Sequence, residues 1–359
     1  MKRIFIVGSA GIPASYGGFE TLAENLVVYR EQQGIPVELT VVCSGRTGGV
    51  KPSALRGAKL AYVPLPANGM ASVAYDAWSL ALAVYRCADV VLLLGVSGAI
   101  ALPLVRCFGR TRVVTNIDGI EWHRAKWGWL ARNFLRLSEW LAVRCSHTVV
   151  ADNQGVAEHV AYHYGKSCSV IAYGGDHAVQ VANRPYPAAL PPRYALAICR
   201  IEPENNVAMI LDAFSRTSEL PLVFVGNWNA SPFGQRLRER YQAFGHLVLV
   251  DPEYDTGALK TLREGASLYV HGHSAGGTNP SLVEMMHFGV PVAAFDCVFN
   301  RYTTQGHAIY FADAQGLLEA VAVLPGLEAA AAGARMREMA RQDYTWSKVG
   351  AQYFEVLAL

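Results

Sequence analysis

The chain has 359 residues, of which 52% are hydrophobic and 17% are charged. A single hydrophobic core stops growing near about 250–300 residues, so this length favours two domains, and the apolar content excludes a disordered chain. The formal net charge of +2 is too small to suggest a nucleic-acid-binding protein. No uncharged apolar stretch reaches the roughly 18 residues that a membrane-spanning helix needs.

The first half of the chain alternates apolar strand-like runs with helical patterns. Strands are predicted at residues 3–7, 37–43, 59–63, 89–94, 112–116, 148–151 and 169–172, and helices at 19–33, 71–86, 122–145 and 155–164. The strands are continuous Val, Ile and Leu runs rather than alternating ones. This pattern is typical of a parallel sheet that is covered on both faces.

A proline-rich stretch, 176–193, predicts a linker, and the alternation then restarts. Strands are predicted at 194–199, 221–225, 247–250, 268–271 and 291–295, and helices at 205–216, 233–243, 256–264 and 279–288. The sequence thus predicts two Rossmann-like, doubly wound α/β domains, 1–180 and 181–345, that face each other across a cleft. A final helical segment, 346–359, could return to the first domain.

The first predicted strand ends in a glycine-rich loop, residues 8–18, that leads into a helix. Free main-chain N–H groups at a helix start favour an anion, and the adjacent Gly17 and Gly18 would let a ligand approach the backbone closely. The spacing matches neither a dinucleotide-binding fingerprint nor a P-loop. The alternative is an ordinary strand-to-helix loop.

Two further features of the first half have two interpretations each. Asp118 follows a predicted strand and is either a functional carboxylate or the cap of the next helix. The predicted helix from Trp122 to Cys145 is rich in arginine and tryptophan. It could lie on an anionic membrane surface, or it could be an ordinary helix whose aromatic side chains pack inward.

The segment 271–284 has the highest density of candidate functional residues. Its Gly-x-Ser-x-Gly match predicts a serine hydrolase with Ser274 as the nucleophile, for which Asp296 and His307 could complete a triad. Against this, the helix is expected to start only at Pro280, after an Asn279 cap. His271 and His273 could instead bind a metal, but no third ligand is evident.

A phosphate and ribose cradle is the third interpretation of this segment. Gly276, Gly277 and Thr278 would expose hydrogen-bond donors at a helix N-terminus, and Glu284 could accept hydrogen bonds from two ribose hydroxyls. Arg200, at the end of the first strand of the second domain, could neutralise phosphate charge, or it could form a surface salt bridge with Glu202 or Glu204. Two anion-suited loops in one domain favour a nucleoside diphosphate.

The arrangement of these motifs resembles a known family. The loop R-x-x-P-E at 200–204 and the helix start GGTNPSLVE at 276–284 resemble GT-B glycosyltransferases with the E-x7-E signature. The segments GIPASYGGFETLAENL, NIDGIEWHRAKWG, IAYGGD and FNRYTT resemble the bacterial rhamnosyltransferase branch of capsule and exopolysaccharide synthesis.

The resemblance implies a GT-B fold and a retaining hexosyltransferase that needs no metal or other cofactor. The donor would be a dTDP-sugar, such as dTDP-rhamnose, or a UDP-sugar. The acceptor would be a lipid-linked glycan at the cytoplasmic face of the cell membrane, which the protein would contact peripherally through the helix from Trp122 to Cys145. The absence of an Asp-x-Asp motif agrees with a reaction that needs no metal.

The resemblance also implies site residues. Glu284 resembles the second glutamate of the signature, which would bind the ribose, and Arg200 resembles the pyrophosphate-binding arginine. Gly17 and Gly18 resemble glycines that approach the diphosphate or acceptor, and Asp118 falls where relatives often place a histidine near the transferred sugar. The other candidate donor-binding residues are Asn205, Gly276, Gly277, Thr278, Asn279 and Ser281.

Two positions depart from the family pattern. Gly276 stands where the first signature glutamate is expected, and Asn205 stands where a lysine is usual. A carboxylate for the sugar hydroxyls and one positive charge are therefore missing; the latter could be offset by Arg301 or by main-chain N–H groups. Besides the Ser274 hydrolase, the alternatives are a GT-B-fold sugar-nucleotide epimerase and a nucleotide-binding protein without catalysis.

Overall fold

The computed structural model describes residues 1–14, 17–46, 51–124, 127–323 and 327–358. It divides into two compact units: unit 1 contains Met1–Ala172 and Trp346–Leu359, and unit 2 contains Tyr173–Thr345. The boundary precedes the expected one at residue 181. Gly175 N donates to Tyr344 O at 2.8 Å, and this hydrogen bond fixes the intervening segment to unit 2.

Unit 1 is built on a sheet to which the described residues contribute eight strands. These are β1 (Lys2–Val7), β2 (Val37–Ser44), β3 (Ala54–Leu55), β4 (Ala58–Val63), β5 (Val90–Leu94), β6 (Arg112–Asn116), β7 (Thr148–Ala151) and β8 (Ser169–Val170). Their order is β3-β4-β2-β1-β5-β6-β7-β8, and every pair is parallel except β3 with β4. All five side chains of β5, Val-Val-Leu-Leu-Leu, are buried, as expected for a central parallel strand.

In the described part of the chain, five helices of unit 1 connect the strands of this sheet. They are α1 (Gly18–Gln32), α2 (Ser72–Tyr85), α3 (Leu102–Phe108), α4 (Trp129–Cys145) and α5 (Gln154–Tyr164), with 3-10 turns at Gly69–Ala71, Ser97–Ala101 and Glu121–His123. The prediction of one helix from Trp122 to Cys145 is therefore wrong at its start. Trp122 lies in a 3-10 turn, and Gly128, with extended backbone, takes the N-cap position of α4.

Unit 2 contains a parallel sheet of six strands among the described residues. They are β9 (Tyr194–Ile198), β10 (Leu222–Val225), β11 (Leu247–Val250), β12 (Ala266–His271), β13 (Val292–Phe295) and β14 (Ile309–Phe311), in the order β11-β10-β9-β12-β13-β14. Trp228, Phe214 and Phe224 are central to the hydrophobic core of this unit.

The helices of unit 2 come mainly from the connections between its strands. They are α6 (His177–Gln180), α7 (Val207–Ser215), α8 (Pro232–Tyr241), α9 (Thr256–Glu264), α10 (Pro280–Phe288), α11 (Val298–Thr303), α12 (Ala314–Ala322) and α13 (Leu327–Asp343), with 3-10 turns at Pro203–Asn205 and Trp228–Ala230. Sequence patterns predict none of the elements β14, α11, α12 and α13.

A last helix, α14 (Trp346–Ala358), belongs to unit 1. The Tyr29 and Phe354 rings stack at 5.8 Å between α1 and α14. A Cβ on Gly350 would lie 2.3 Å from the Tyr29 ring, so glycine is required for this close packing. In the described part of the chain, no helix is long and apolar enough to span a bilayer.

Both sheets contain the doubly wound strand order 3-2-1-4-5-6, in unit 1 as β4-β2-β1-β5-β6-β7 and in unit 2 as the whole sheet. In such sheets ligands bind at the carboxyl ends of the strands, where the winding reverses. That switch point lies between β1 and β5 in unit 1 and between β9 and β12 in unit 2. The loops after β9 and β12 are residues 199–206 and 272–279.

Candidate functional site

The loop after β9 presents an arginine at the switch point of unit 2. The Arg200 side chain is 42% exposed, and its Nη2 atom lies 3.8 Å from Glu202 Oε2, a long and partly solvated ion pair. Asn205 Nδ2 donates to Arg200 O at 2.6 Å and holds the loop backbone. The guanidinium therefore remains accessible to a ligand while the main chain beside it is fixed.

Asn205 stands where the family that the chain resembles has a lysine, and its side chain makes a hydrogen bond that holds the loop. The residue is only 3% exposed, and its amide makes the bond to Arg200 O. Its neighbour Asn206 has a left-handed backbone (φ 51°) and donates through Nδ2 to Gly272 O at 2.8 Å. Both asparagines thus fix the loop after β9, the second by attaching it to the loop after β12.

The structure brings the loops after β9 and β12 together. Ser274 donates twice to Glu204 O, through its main-chain N at 2.9 Å and through Oγ at 2.8 Å. A Cβ on Gly272 would lie 2.2 Å from Asn205 O, so only glycine fits there. The two loops therefore form one hydrogen-bonded layer at the switch point.

The glycine-rich segment leads directly into α10. Gly276 has φ +119°, and a Cβ built on it would meet no atom within 4 Å. Asn279 Oδ1 accepts from Ser281 N at 3.0 Å and from Ser281 Oγ at 2.7 Å, which caps the helix. The main-chain oxygen of Asn279 also accepts from Leu282 N at 3.1 Å and from Val283 N at 3.3 Å, so the cap residue engages the N–H groups of the first turn. Gly277 and Thr278 immediately precede this cap.

Glu284 is a charged, mostly buried residue on α10. Its side chain is 13% exposed and pairs with Arg263 through Oε2 and with His177 through Oε1, the latter at 3.3 Å. Burial alone would raise the pKa of this carboxyl, but Arg263 and His177 outweigh it, so its pKa lies below the ordinary value. The carboxylate is held ionised, and its remaining lone pairs can accept further hydrogen bonds.

Three side chains around the switch point have buried polar atoms without a hydrogen-bond partner among the described residues. They are Glu202 (Oε2), Glu204 (both Oε atoms) and His271 (both ring nitrogens). Burial lowers the pKa of His271 to about 3, so its ring is neutral. From the sequence, Glu204 is expected only as an ion-pair partner of Arg200. Its position between Pro203 and Asn205, in the loop after β9, is the signal that could have identified it as a site residue.

The serine hydrolase interpretation does not fit this geometry. A nucleophile elbow needs a helix that starts at the serine, but α10 begins at Pro280 and Ser274 Oγ donates to a main-chain carbonyl. Asp296, proposed as the triad acid, pairs with Arg301 at 2.8 Å. Because Arg301 is engaged in this pair, it is a weak substitute for the positive charge of the lysine that is expected at position 205.

The two histidines of the segment form no metal site with the other described residues. The His271 and His273 rings are stacked, with centroids 4.4 Å apart and planes 13° from parallel. Among the residues that the structure describes, no group of three or more His, Cys, Asp and Glu side chains could hold a metal ion.

The glycine-rich loop of unit 1 is occupied in part by its own carboxylates. Ala10 N donates to Glu20 Oε1 at 2.6 Å, and Ala14 N donates to Glu24 Oε2 at 2.7 Å. Gly17 has φ +127°, and a Cβ there would overlap the Glu20 carboxylate, while Gly18 is the first residue of α1. Two of the N–H groups expected to face an anion therefore serve glutamates. Residues 15 and 16 of the loop lie outside the described residues.

Asp118 does not cap a helix, so that interpretation is wrong. Ile120 occupies the cap position of the 3-10 turn at Glu121–His123, and Gly128 that of α4. Asp118 has a left-handed backbone (φ 60°), and its N–H donates to Asn116 Oδ1 at 2.8 Å. Asn116 Nδ2 in turn donates to Tyr353 OH at 2.7 Å, so α14 holds the turn that carries Asp118.

Comparisons with known proteins agree with this architecture. Residues 1–176 match a family described as a domain of unknown function, DUF1972. No curated protein sequence matches the chain. Sucrose-phosphate synthase from Thermosynechococcus elongatus superposes with a TM-score of 0.81 at 14% identity, covering 99% of this chain and 98% of that one.

Two further solved structures are similar over their whole length. Anabaena HepE in complex with UDP and glucose has a TM-score of 0.70 at 13% identity, with 100% of both chains covered. The α,α-trehalose 6-phosphate synthase from Burkholderia multivorans has a TM-score of 0.74 at 10% identity, covering 99% of this chain and 96% of that one. The two parallel-sheet α/β units and these similarities show that the chain has the GT-B fold, which confirms the predicted fold class.

Proposed function

We propose that the protein is a glycosyltransferase that takes a sugar from a nucleoside diphosphate sugar, and that unit 2 binds this donor. The observation that carries the proposal is the hydrogen-bonded pair of loops after β9 and β12. They present an accessible guanidinium, Arg200, and the N-terminus of α10 at the switch point where ligands of doubly wound sheets bind. The similar Anabaena protein was solved with UDP and glucose, which supports a donor of this class.

Each group of the layer has a role that its chemistry suits. Arg200 and the positive end of the α10 helix dipole would stabilise the negative charge that develops on the leaving diphosphate. Glu284, held ionised by Arg263 and His177, would accept hydrogen bonds from the two ribose hydroxyls of a UDP-sugar, or from the single deoxyribose hydroxyl of a dTDP-sugar. The diphosphate charge is thus balanced by protein groups, and the proposal includes no metal.

The finer proposal is a retaining transfer of a hexose, with rhamnose from dTDP-rhamnose or a sugar from a UDP-sugar as the candidates. The bond from C1 to the diphosphate breaks, the acceptor oxygen bonds to C1 on the same face, and the leaving phosphate takes the acceptor's proton. Gly17, Gly18 and Asp118 of unit 1 are proposed for the acceptor side. The acceptor would be a lipid-linked glycan of a capsule or exopolysaccharide.

An exposed face of α4 supports contact with a membrane. Helical spacing places Trp129, Leu130, Leu137 and Trp140 on one side of the helix, and the first two are both 76% exposed. Arg132 and Arg144 are exposed on the same side. Apolar side chains flanked by arginines suit the surface of an anionic bilayer, where a lipid-linked acceptor would lie at the inner face of the cell membrane.

Not all of the tryptophan-rich region belongs to this face. Trp122 Nε1 donates to the buried Glu139 at 3.0 Å, and the Arg136 guanidinium lies 4.7 Å from the Trp122 ring. These two residues are therefore engaged within unit 1. The inward-packing interpretation holds for Trp122 and fails for Trp129 and Trp140.

A flotation assay tests the membrane proposal. The wild-type chain should float with vesicles that contain phosphatidylglycerol and should remain in the pellet fraction with phosphatidylcholine alone. The double variant Trp129→Ser, Trp140→Ser should lose flotation, whereas Trp78→Ser, which removes an exposed tryptophan from α2, should not. Equal flotation of all three proteins would contradict a role for α4.

A thermal-shift screen with UDP, dTDP, GDP and ADP tests the donor class. One nucleoside diphosphate should raise the melting temperature well above the others, by mass action on the folded state. The sugar nucleotide of the same base should then give a glycosidic product with a glycan acceptor. Binding without such a product would favour the epimerase alternative, and no shift with any nucleotide would contradict the proposal.

A further inference from the structure

The carboxylate of Glu204 has no described structural partner. Both of its oxygens are buried and accept no hydrogen bond from any described residue. Buried acceptors in folded proteins are almost always satisfied, so an exception of this kind requires an explanation, such as a ligand that donates to it. His271, the other fully unsatisfied group nearby, is a neutral ring and supplies no charge to offset the carboxylate.

The shape of the surrounding loop does not depend on this carboxylate. The main-chain oxygen of Glu204, rather than its side chain, accepts the two hydrogen bonds from Ser274. The flanking backbone is held by Asn205 and Asn206, and Ile201 N donates to Asn227 Oδ1 at 2.7 Å. Removal of the carboxylate charge should therefore leave the loop in place.

The loop after β12 has no side chain at position 276, and Glu204 belongs to the loop that packs against it. Position 276 is glycine, and the space that a side chain would enter there contains no atom within 4 Å of a built Cβ. The main chain of Glu204 contacts this loop, since its carbonyl oxygen accepts from Ser274, which is two residues before Gly276. A carboxylate is thus available from the loop after β9 where the loop after β12 has none.

The chemistry of a carboxylate selects which part of a sugar nucleotide it can meet. A diphosphate would be repelled by it, whereas a sugar hydroxyl donates a proton in a strong, charge-assisted hydrogen bond. The ribose is already assigned to Glu284 in the proposed function, on which this inference rests. The remaining hydroxyl groups are those of the transferred sugar.

We propose that Glu204 binds hydroxyl groups of the donor sugar and replaces the acid that is absent at position 276. It is a specificity-determining residue: it distinguishes the sugar nucleotide from the bare nucleoside diphosphate, and one arrangement of sugar hydroxyls from another.

Calorimetric titration of Glu204→Gln tests this. The probes are UDP and UDP-glucose, and dTDP and dTDP-rhamnose, each titrated into wild type, the variant and Glu239→Gln. Glu239 is exposed on α8, and its substitution is a matched control for the loss of one negative charge. Affinity of Glu204→Gln for the nucleoside diphosphate should stay within about twofold of wild type, and affinity for the sugar nucleotide should fall about tenfold or more.

Every outcome distinguishes this inference from the proposed function. Unchanged binding of the sugar nucleotide by Glu204→Gln, or an equal loss for the nucleoside diphosphate, would overturn the role of Glu204 and leave the donor site intact. If Glu204→Gln melts too low for titration, Glu204→Asp takes its place, since a shorter carboxylate should also weaken sugar-nucleotide binding selectively. Failure of wild type to bind any probe would overturn the proposed function and the inference together.

Discussion

Replacement of Gly272 by alanine should separate the two loops of the candidate site. The new Cβ would lie 2.2 Å from Asn205 O and 2.7 Å from Ile210 Cδ1. Ordinary contacts between such atoms are about 3.5 Å, so the main chain of one loop must move by about 1 Å. Asn205 O is a main-chain atom of the brace beside Arg200, so it cannot yield without movement of its loop, and Ile210 is packed in the core of unit 2.

Gly272→Ala should reduce both the stability of unit 2 and its affinity for the ligand. Overpacking of this kind costs about 1–3 kcal/mol, which lowers the melting temperature of a unit of this size by several degrees. Displacement of Arg200 with its loop should weaken its hydrogen bonds to the diphosphate, and bonds to a charged group are worth about 1.5–3 kcal/mol, or about tenfold to 100-fold in affinity. The melting temperature and the nucleoside diphosphate affinity of Gly272→Ala should therefore both fall.

Gly245→Ala is the matched control, since a Cβ at Gly245 would meet no atom within 4 Å. It should melt and bind as the wild type does. If Gly272→Ala behaved like this control in both measurements, the close packing of the two loops would not be what holds the site.

Three further substitutions test other parts of the account. Burial raises the pKa of Asp76 on α2 to about 8, whereas the carboxyl of the unfolded chain loses its proton near pH 4. The stability of the folded protein should therefore fall as the pH rises between these values. Asp76→Asn should abolish this fall in melting temperatures measured over the same pH range. Glu284→Gln should cost about 3 kcal/mol or more at pH 7 by leaving Arg263 unpaired, and the loss should shrink as acid protonates the wild-type carboxyl; an equal loss at every pH would contradict the pairing. Tyr353→Phe should cost about 1–3 kcal/mol by removing the acceptor of Asn116 Nδ2, and an unchanged melting temperature would refute this anchor.

The fold was predictable because its strands carry a strong local signal. Continuous apolar runs such as β5 and β9 are buried on both sides, and this pattern indicates a parallel sheet without knowledge of its neighbours. The loops after β9 and β12 were also predictable as one layer, since carboxyl ends of parallel strands share an edge. Short elements such as β14 escaped prediction because three residues carry little periodicity.

Other features depend on contacts that are distant in sequence. The start of α4 was predicted too early because helical spacing of aromatic residues continues through Gly128, where the chain is in fact extended. Local sequence suggests that the loop before α1 faces an anion, but Glu20 and Glu24 accept hydrogen bonds from two of its N–H groups. The unsatisfied carboxylate of Glu204 could be found only by an inventory of hydrogen bonds in the folded chain.

The central claim is that unit 2 binds the diphosphate of a sugar nucleotide through Arg200. Calorimetric titration of the preferred nucleoside diphosphate into Arg200→Ala and Arg193→Ala tests it most directly, because both changes remove an exposed arginine, one at each end of β9. The account predicts a loss of about tenfold or more for Arg200→Ala, as for other hydrogen bonds to charged groups, and no loss for Arg193→Ala. Equal affinities of the two variants would contradict it.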